Sequence, residues 1–264
     1  MCARYTLTTE EKELLQENKY KLVGEYHPDS NVAITDIGFV VTSDEPTLVQ
    51  KMHFGIVHHY AKTKAIGFDT WNIRSEEVLT KKSYEPLMRH RKTCLVIMDG
   101  FYEWQEEANG EKQPWKFVVP VRKTFCCAGL WSRWVDQNTG EVYDSFGIMT
   151  CKANDTVGEV HQNKRMPVIL HKSDENTWLN KKLSIDELLS LCVTFPDNKM
   201  QRYQVSKKVN KVSTIKVPNK GMELSLPLNK DMKANQLIVT KENEVYKKQI
   251  RRKPEQPEQP NLFS

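Results

Sequence analysis

The chain has 264 residues, of which 39% are hydrophobic and 28% are charged, and its formal net charge is +5. This length and composition indicate a globular protein with a substantial core, and the small basic excess permits nucleic-acid binding without requiring it. No apolar run approaches the roughly 18–20 residues of a membrane span, and the N-terminus lacks the apolar segment of a signal peptide, so we expect no membrane contact and a cytoplasmic location.

Short strands and two short helices are predicted in the first half of the chain. Residues 8–11 form a capping-box pattern, which predicts a helix over 10–18 with Leu14 and Leu15 facing inward. The other elements predicted in this half are strands over 38–41, 48–57 and 93–98 and a short helix near 75–82.

Hairpins dominate the second half. A turn centred on Asn109-Gly110 is typical of a β-hairpin, and a second hairpin is predicted around the turn at 138–140. The remaining predictions are strands over 115–121, 125–131, 143–150, 166–170 and 203–206, helices over 176–179 and 185–191, and a helix or loop over 155–161. Because many short strands accompany few helices, we predict an α+β fold with a mainly antiparallel sheet or barrel-like core.

One domain is predicted over residues 1–230. The sequence then becomes polar and basic and contains a Glu-Gln-Pro repeat, so residues 231–264 are predicted to be a partly disordered tail. The six cysteines show no CxxC pair and no zinc-ligand spacing with the seven histidines, so we expect neither a metal nor another cofactor. Five cysteines lie among apolar or small residues and are interpreted as free thiols, most of them buried: Cys94, Cys126, Cys127, Cys151 and Cys192.

The remaining cysteine, Cys2, becomes the N-terminal residue if Met1 is removed. It then carries an α-amine and a thiol, whose unperturbed pKa values are about 7.7–8.0 and about 8.5, so both would be partly reactive near neutral pH. An amine condenses with an aldehyde to a Schiff base, and a thiol two carbons away can close a thiazolidine ring on it. Taken alone, the residue is better interpreted as an ordinary small residue at a frayed terminus.

Glu103 and His161 are candidate proton-transfer groups. Glu103 ends an apolar strand between aromatic residues, where desolvation would raise its pKa. The alternative is a glutamate on an edge strand that faces water. His161 precedes a basic turn and a proline, and a histidine there can transfer protons near neutral pH. The alternative is a histidine on a surface loop.

Several polar and aromatic residues are candidates for binding single-stranded nucleic acid. Asn72 would orient a substrate oxygen while Arg74 binds a phosphate. Further cations and stacking faces are supplied by Arg4, Lys164, Arg165, Trp71 and Tyr60. Each of these residues is also compatible with turn chemistry or ordinary surface composition.

The residues of these motifs, taken together and in their order along the chain, carry more information than any single motif. The chain resembles the SOS response-associated peptidase (SRAP) family from residue 1 to about residue 221. The resemblance rests on Met-Cys-x-Arg at 1–4, Asn-x-Arg-x-Glu at 72–76, Asp-Gly-Phe-Tyr-Glu-Trp at 99–104, Ala-Gly-Leu-Trp at 128–131, Ala153-Asn154 with His161 seven residues on, Arg165-Met166-Pro167, and Val205-Ser206 with Val209-Asn210.

The resemblance implies a monomeric, DNA-associated protein that shields abasic sites in single-stranded DNA by a thiazolidine crosslink. Cys2 would then be the nucleophile, Asn72 would orient it, and Glu103 would act as acid and base in ring opening and imine chemistry. His161 would assist Schiff-base formation and crosslink reversal. Arg4 and Arg74 would bind phosphates beside the lesion. The family name also implies thiol autopeptidase activity that removes Met1, and a β-lyase activity through the imine is implied as well.

This chain departs from the family pattern in several places, including Ser30 and Ile34, where a tyrosine and a proline are usual. Ala3 replaces the usual glycine, the segment 54–60 lacks the usual tryptophans, and the His-x-Arg-Met-Pro motif is lengthened between His161 and Arg165. Tyr60 or a neighbouring histidine is expected to replace the missing aromatic side chains. Two other functions stay open: a thiol peptidase that uses the same Cys2, Glu103 and His161, and a DNA-binding module without turnover.

Overall fold

The protein is described here by a computed structural model that covers residues 2–65, 70–214 and 216–228. The predicted tail over 231–264 lies outside the described residues. The described chain contains thirteen strands, with bounds β1 Arg4–Leu7, β2 Lys21–Leu22, β3 Asp29–Ala33, β4 Ile37–Thr42, β5 Leu48–Phe54, β6 Asn72–Arg74, β7 Thr93–Met98, β8 Gly100–Glu106, β9 Lys112–Val118, β10 Phe125–Val135, β11 Val142–Lys152, β12 Arg165–Pro167 and β13 Gln201–Gln204. Its α-helices are α1 Glu11–Asn18, α2 Glu85–Arg89, α3 Asp155–Gly158, α4 Glu175–Trp178 and α5 Ile185–Leu189.

The strands form two sheets around a shared core. The first sheet has the order β13-β9-β8-β1-β3, and the second has the order β12-β11-β10-β7-β4-β5-β2, with β6 added beside β11. Because β5 also pairs with β11, the strands β11, β10, β7, β4 and β5 close into a ring. Most neighbours are antiparallel, which confirms the predicted α+β fold with a barrel-like core.

Apolar patterning explains the central barrel strand. β7 covers the predicted residues, and all six of its side chains are buried, as its continuous apolar run indicates. The predicted hairpins also form: β8 pairs with β9 around Gly110, which has a φ of 79°, and β10 pairs with β11 around Gly140, which has a φ of 73°. Glycine adopts such left-handed backbone conformations without a steric penalty. All six cysteines are free, and only Cys192 is more than slightly exposed.

The capping-box prediction for the first helix is wrong. α1 begins at Glu11, and no side chain caps its N-terminus. The backbone amide of Thr9 and the hydroxyl of Thr8 instead donate to the Asp99 carboxylate, at 2.9 and 2.8 Å. A carboxylate from a distant turn therefore takes the hydrogen bonds that the local pattern would have used. Leu14 is buried, as predicted.

The helix near residues 75–82 is shorter than predicted, since the structure there has only a single 3-10 turn, Ser75–Glu77. Four strands were not predicted: β1, β2, β3 and β6. Two of them matter for function, because β1 begins two residues after Cys2 and β6 begins with Asn72. Among the described residues, no helix is long and apolar enough to span a membrane.

Candidate active site

Cys2 is held in place by the strand that follows it. β1 lies between β3 and β8 in the five-stranded sheet, with Tyr5 opposite Phe101 of β8. The Cys2 side chain is only 1% exposed, and its thiol donates to the Arg4 carbonyl over 3.5 Å. Cys2 is therefore part of the packed interior and does not belong to a frayed terminus.

The environment of Cys2 changes its acidity. Burial raises the pKa of the thiol well above its usual range, and the nearby Glu103 carboxylate raises it further. The partly reactive thiol expected from ordinary pKa values therefore does not occur in the chain that still carries Met1. A buried thiol of this kind needs a proton acceptor beside it before it can act as a nucleophile.

Glu103 lies in the middle of β8, which is flanked by β1 on one side and β9 on the other. Its side chain is 1% exposed, so the alternative of a water-facing glutamate is wrong. Burial raises the pKa of this carboxyl from its usual value to about 8. At neutral pH Glu103 is consequently a carboxylic acid that is able to donate a proton.

His161 follows α3 and is also buried, which rules out an ordinary surface-loop histidine. Its Nε2 lies 3.4 Å from Oε2 of Glu103. The backbone amide of Arg165 donates to its Nδ1 over 3.4 Å, so the neutral ring carries its proton on Nε2. Burial lowers the pKa of His161 to about 4, and the charge of Arg165 contributes to this.

Glu103 and His161 thus form a buried pair whose members are both neutral between about pH 4 and pH 8. Two titratable groups with pKa values pushed apart in this way are typical of acid–base sites. Glu103 can donate a proton to a reacting group and, once it is a carboxylate, take a proton back.

Asn72 contacts the backbone of Cys2 directly. It begins β6, which pairs with β11, and its side chain is buried. Its Nδ2 donates to the Cys2 carbonyl over 3.0 Å. Its buried Oδ1 accepts no hydrogen bond from the described residues, so one acceptor remains available to a substrate group.

The predicted phosphate-binding arginines are engaged by the protein itself. Arg4 is buried and donates to Oδ1 of Asn31 over 2.9 Å and to the Val209 carbonyl over 2.6 Å. Arg165 donates to Glu76 over 2.9 Å and to the Thr150 carbonyl over 2.7 Å.

The last of these arginines, Arg74, is about half exposed and forms an ion pair with Glu77 at 3.0 Å. Lys164 is exposed, and its φ of 48° makes it part of the tight turn after His161. The structure therefore places both residues near the surface.

The predicted aromatic residues occupy different environments. Trp71 is half-buried and packs against the core. Tyr60 is 60% exposed, and its ring stacks on His58 with centroids 5.2 Å apart and an interplanar angle of 2°. Burial and the neighbouring His59 lower the pKa of His58. This stack occupies the segment in which the usual tryptophans are missing.

A cavity of about 450 Å³ opens beside the Glu103–His161 pair. It is lined by Ala3, Arg4, Glu103, Trp104, Glu106, Lys112, His161, Gln162, Asn163 and Asn210. Trp104 belongs to the motif at 99–104 and Asn210 to the motif Val209-Asn210, but neither motif by itself indicates a role for these side chains. The indole of Trp104 donates to Oδ1 of Asn210 over 2.7 Å, so the two side chains form one wall. Ala3 does not adopt a left-handed conformation, so the replacement of glycine there is tolerated.

Comparison with known proteins identifies the family of this chain. The family model for "SOS response associated peptidase (SRAP)" matches residues 1–212. The chain belongs to the SRAP family. Among its relatives, "Abasic site processing protein YoqW" of Bacillus subtilis (strain 168) is 32% identical over 216 residues, which cover 80% of this SRAP chain and 94% of YoqW. "Abasic site processing protein HMCES" of Pongo abelii is 26% identical over 241 residues, which cover 79% of this chain and 67% of HMCES.

A solved structure supports the fold. The crystal structure of a Bacteroides thetaiotaomicron protein superposes with a TM-score of 0.75 at 22% identity, covering 86% of this SRAP chain and all of the other. Within the described part of the SRAP chain, no group of three or more His, Cys, Asp or Glu side chains is arranged to bind a metal ion.

Proposed function

We propose that this SRAP protein processes abasic sites in single-stranded DNA by a covalent crosslink through Cys2. The observation that carries the proposal is that Cys2 is buried with Asn72 on its carbonyl and with Glu103 near its thiol, while His161 contacts Glu103; the four residues come from separate parts of the chain. The names of the related proteins supply the substrate class, since YoqW and HMCES are both called abasic site processing proteins. The predicted monomeric state and DNA association belong to the same proposal.

Hydrolysis of the Met1–Cys2 peptide bond must come before the reaction with DNA, because it frees the Cys2 amine. Schiff-base formation is then the first step on the DNA. This amine attacks the aldehyde of the ring-opened sugar and gives a carbinolamine. Loss of water then forms the Schiff base. Glu103 in its acid form donates the proton that converts the departing hydroxyl into water, so it becomes a carboxylate beside the Cys2 thiol.

The second step, addition of the thiol, uses the negative charge that Schiff-base formation leaves on Glu103. The thiol of Cys2 is too weakly acidic to ionise alone, because burial raises its pKa. The imine leaves the first step protonated on nitrogen. The newly formed Glu103 carboxylate accepts the thiol proton as sulfur adds to the imine carbon, and the nitrogen keeps its proton as the ring amine. The net reaction joins aldehyde, amine and thiol into a thiazolidine with loss of one water, and Glu103 returns to its acid form.

The neighbouring side chains support these steps. Nε2–H of His161 faces Glu103 and stabilises its carboxylate when it forms. The amide of Asn72 binds the Cys2 carbonyl, and its free Oδ1 accepts a hydrogen bond from a sugar hydroxyl or the attacking amine. Before the ring closes, the same Schiff base permits β-elimination of the 3′ phosphate, so lyase activity competes with crosslinking.

The test compares wild type with Cys2→Ala on an abasic single-stranded oligonucleotide. Wild type should give a shifted band on a denaturing gel without any reductant, because the thiazolidine is stable. Cys2→Ala keeps an N-terminal amine and should give a band only when borohydride reduces the Schiff base. Equal yields from the two proteins without reductant would show that the thiol is not involved. Cleavage of a general peptide substrate would instead favour a thiol peptidase.

A further inference from the structure

A run of lysines follows the last strand of the five-stranded sheet. Residues 207–220 contain five lysines and no aspartate or glutamate. The two outer lysines are neutralised: Lys207 pairs with Glu107 at 2.6 Å, and Lys220 pairs with Asp36 at 2.8 Å. The three inner lysines, Lys208, Lys211 and Lys216, are exposed, and we refer to them as the lysine strip.

The lysine strip carries uncompensated charge. In the described ranges, no carboxylate forms an ion pair with the side chains of Lys208, Lys211 or Lys216, in contrast to their neighbours on either side. Val212 and Val217 are also exposed, at 54% and 67%. Cationic side chains interleaved with exposed apolar ones suit a polyanion that also has apolar faces, as single-stranded nucleic acid does.

The backbone that carries the lysine strip is fixed by a buried side chain and by hydrogen bonds. The 3-10 helix Lys207–Asn210 is anchored by Val209, whose side chain is buried. Nδ2 of Asn219 donates to the carbonyls of Lys208 and Lys211, at 2.9 and 2.8 Å. Lys208 lies in this helix and Lys211 is the residue that follows it, so both side chains project from a backbone that these hydrogen bonds fix. Little backbone ordering is needed before they bind a ligand.

The strip is connected directly to the candidate active site. The guanidinium of Arg4, two residues after Cys2, donates to the carbonyls of Val209 and Asn210, at 2.6 and 3.4 Å. Asn210 itself lines the cavity beside Glu103 and His161. A strand whose abasic sugar occupies this cavity therefore has the lysine strip along one flank.

We propose that Lys208, Lys211 and Lys216 bind the phosphates of the DNA strand on one side of the lesion. The proposal rests on the proposed function, since it extends the same single-stranded substrate beyond the cavity. Binding there is independent of sequence, because each lysine that neutralises a phosphate releases a condensed counterion. Arg4 is buried in internal hydrogen bonds, so it supports the strip and leaves phosphate binding to these lysines.

The salt dependence of binding tests the strip. An undamaged single-stranded oligonucleotide is titrated with the full chain by fluorescence anisotropy over a series of salt concentrations. The slope of log K against log salt should fall by about 0.7 for each lysine replaced by alanine, and by about 2 for Lys208→Ala, Lys211→Ala and Lys216→Ala combined. The matching triple replacement by arginine should restore the wild-type slope.

Lys207→Ala is the matched control, because this neighbouring ammonium is already neutralised by Glu107 and Glu111 and its loss should leave the slope unchanged. A triple alanine variant with the wild-type slope, or with no larger loss than Lys207→Ala, overturns the proposal. Tighter binding of polyglutamate than of the oligonucleotide also overturns it, in favour of a protein ligand. Failure of wild type to crosslink abasic DNA would instead contradict the proposed function and leave the slope test intact.

Discussion

Two buried cysteines show what separates a reactive site from a packed core. Cys94 lies in β7 inside the barrel, and Cys2 lies beside β1 in the other sheet. Both side chains are almost fully buried, and burial raises the pKa of both thiols. For Cys94 burial is the only cause, whereas for Cys2 the Glu103 carboxylate contributes as well.

The difference lies in the neighbours and not in the degree of burial. Cys94 lies between Gly129 of β10 and Thr42 of β4, and its carbonyl is bound by the indole of Trp178 at 3.0 Å. Cys2 has a carboxylic acid nearby and an amide on its carbonyl. Burial makes a thiol inert in the first case, while in the second it also raises the pKa of the group that takes the thiol's proton.

The largest effect is expected when the proton-transfer group is removed. Glu103→Gln keeps the size and the neutral charge of the buried acid, so the fold should persist, but the side chain can no longer release a proton. Crosslinking of an abasic oligonucleotide should slow by about 10²–10⁴-fold in single-turnover gel assays. Glu159→Gln, at an exposed glutamate, is the control and should react at the wild-type rate. A rate for Glu103→Gln within threefold of wild type would contradict the assignment.

A substitution in the barrel should have the opposite effect, because it should lower stability and leave crosslinking intact. Phe146 is fully buried in β11, and its ring stacks on Phe54 with centroids 5.3 Å apart. Phe146→Ala should lower the free energy of unfolding by about 3–5 kcal/mol, measured by urea denaturation. The protein that remains folded should still crosslink. If the variant lost all crosslinking while keeping wild-type stability, the separation between barrel and site would be wrong.

The pH dependence of stability should report on Glu103. Its pKa is raised in the fold from the usual 4.5 to about 8, so the folded state holds this proton more tightly than the unfolded state. The stabilisation is fully present below about pH 4.5 and is lost as pH rises towards 8. The difference in free energy of unfolding between wild type and Glu103→Gln should therefore shift against wild type across this interval. A difference that stays constant from pH 4.5 to 8 would place the carboxyl pKa near its ordinary value.

The smallest effect is expected at the barrel cysteine. Cys94→Ala removes one buried sulfur atom and should destabilise the protein by about 1 kcal/mol. Its crosslinking rate should equal that of wild type, because Cys94 does not contribute to the site. A large loss of crosslinking in a folded Cys94→Ala protein would mean that the two cysteines are not functionally distinct.

Sequence patterns predicted the barrel better than the sheet that carries Cys2. The apolar run of β7 and the turn at 138–140 in the β10–β11 hairpin are local signals, and both elements form as predicted. β1 has no such signal, because Arg4 and Thr6 are polar. They are buried only since Asn31 and Asp99, both distant in sequence, accept their hydrogen bonds.

Local sequence patterns are equally insufficient to predict the geometry of the candidate active site. The motifs identified the residue types, yet no local pattern shows that Glu103 and His161 touch, or that Arg165 is already bound by Glu76 from 89 residues away. Those contacts depend on the pairing of distant strands. The exposure of Tyr60 and the free lysines of the strip also became visible only once the burial of each side chain was known.

Peptide mapping of the crosslinked protein is the most direct test of the central claim. After nuclease trimming of the DNA and proteolysis, mass spectrometry should find the sugar remnant on an N-terminal peptide that begins with Cys2 and lacks Met1. The amine and the thiol of Cys2 should both resist alkylation, because both are bonded to the same carbon. A remnant on any other residue, a crosslinked peptide that retains Met1, or a free Cys2 thiol in the adduct would contradict the account.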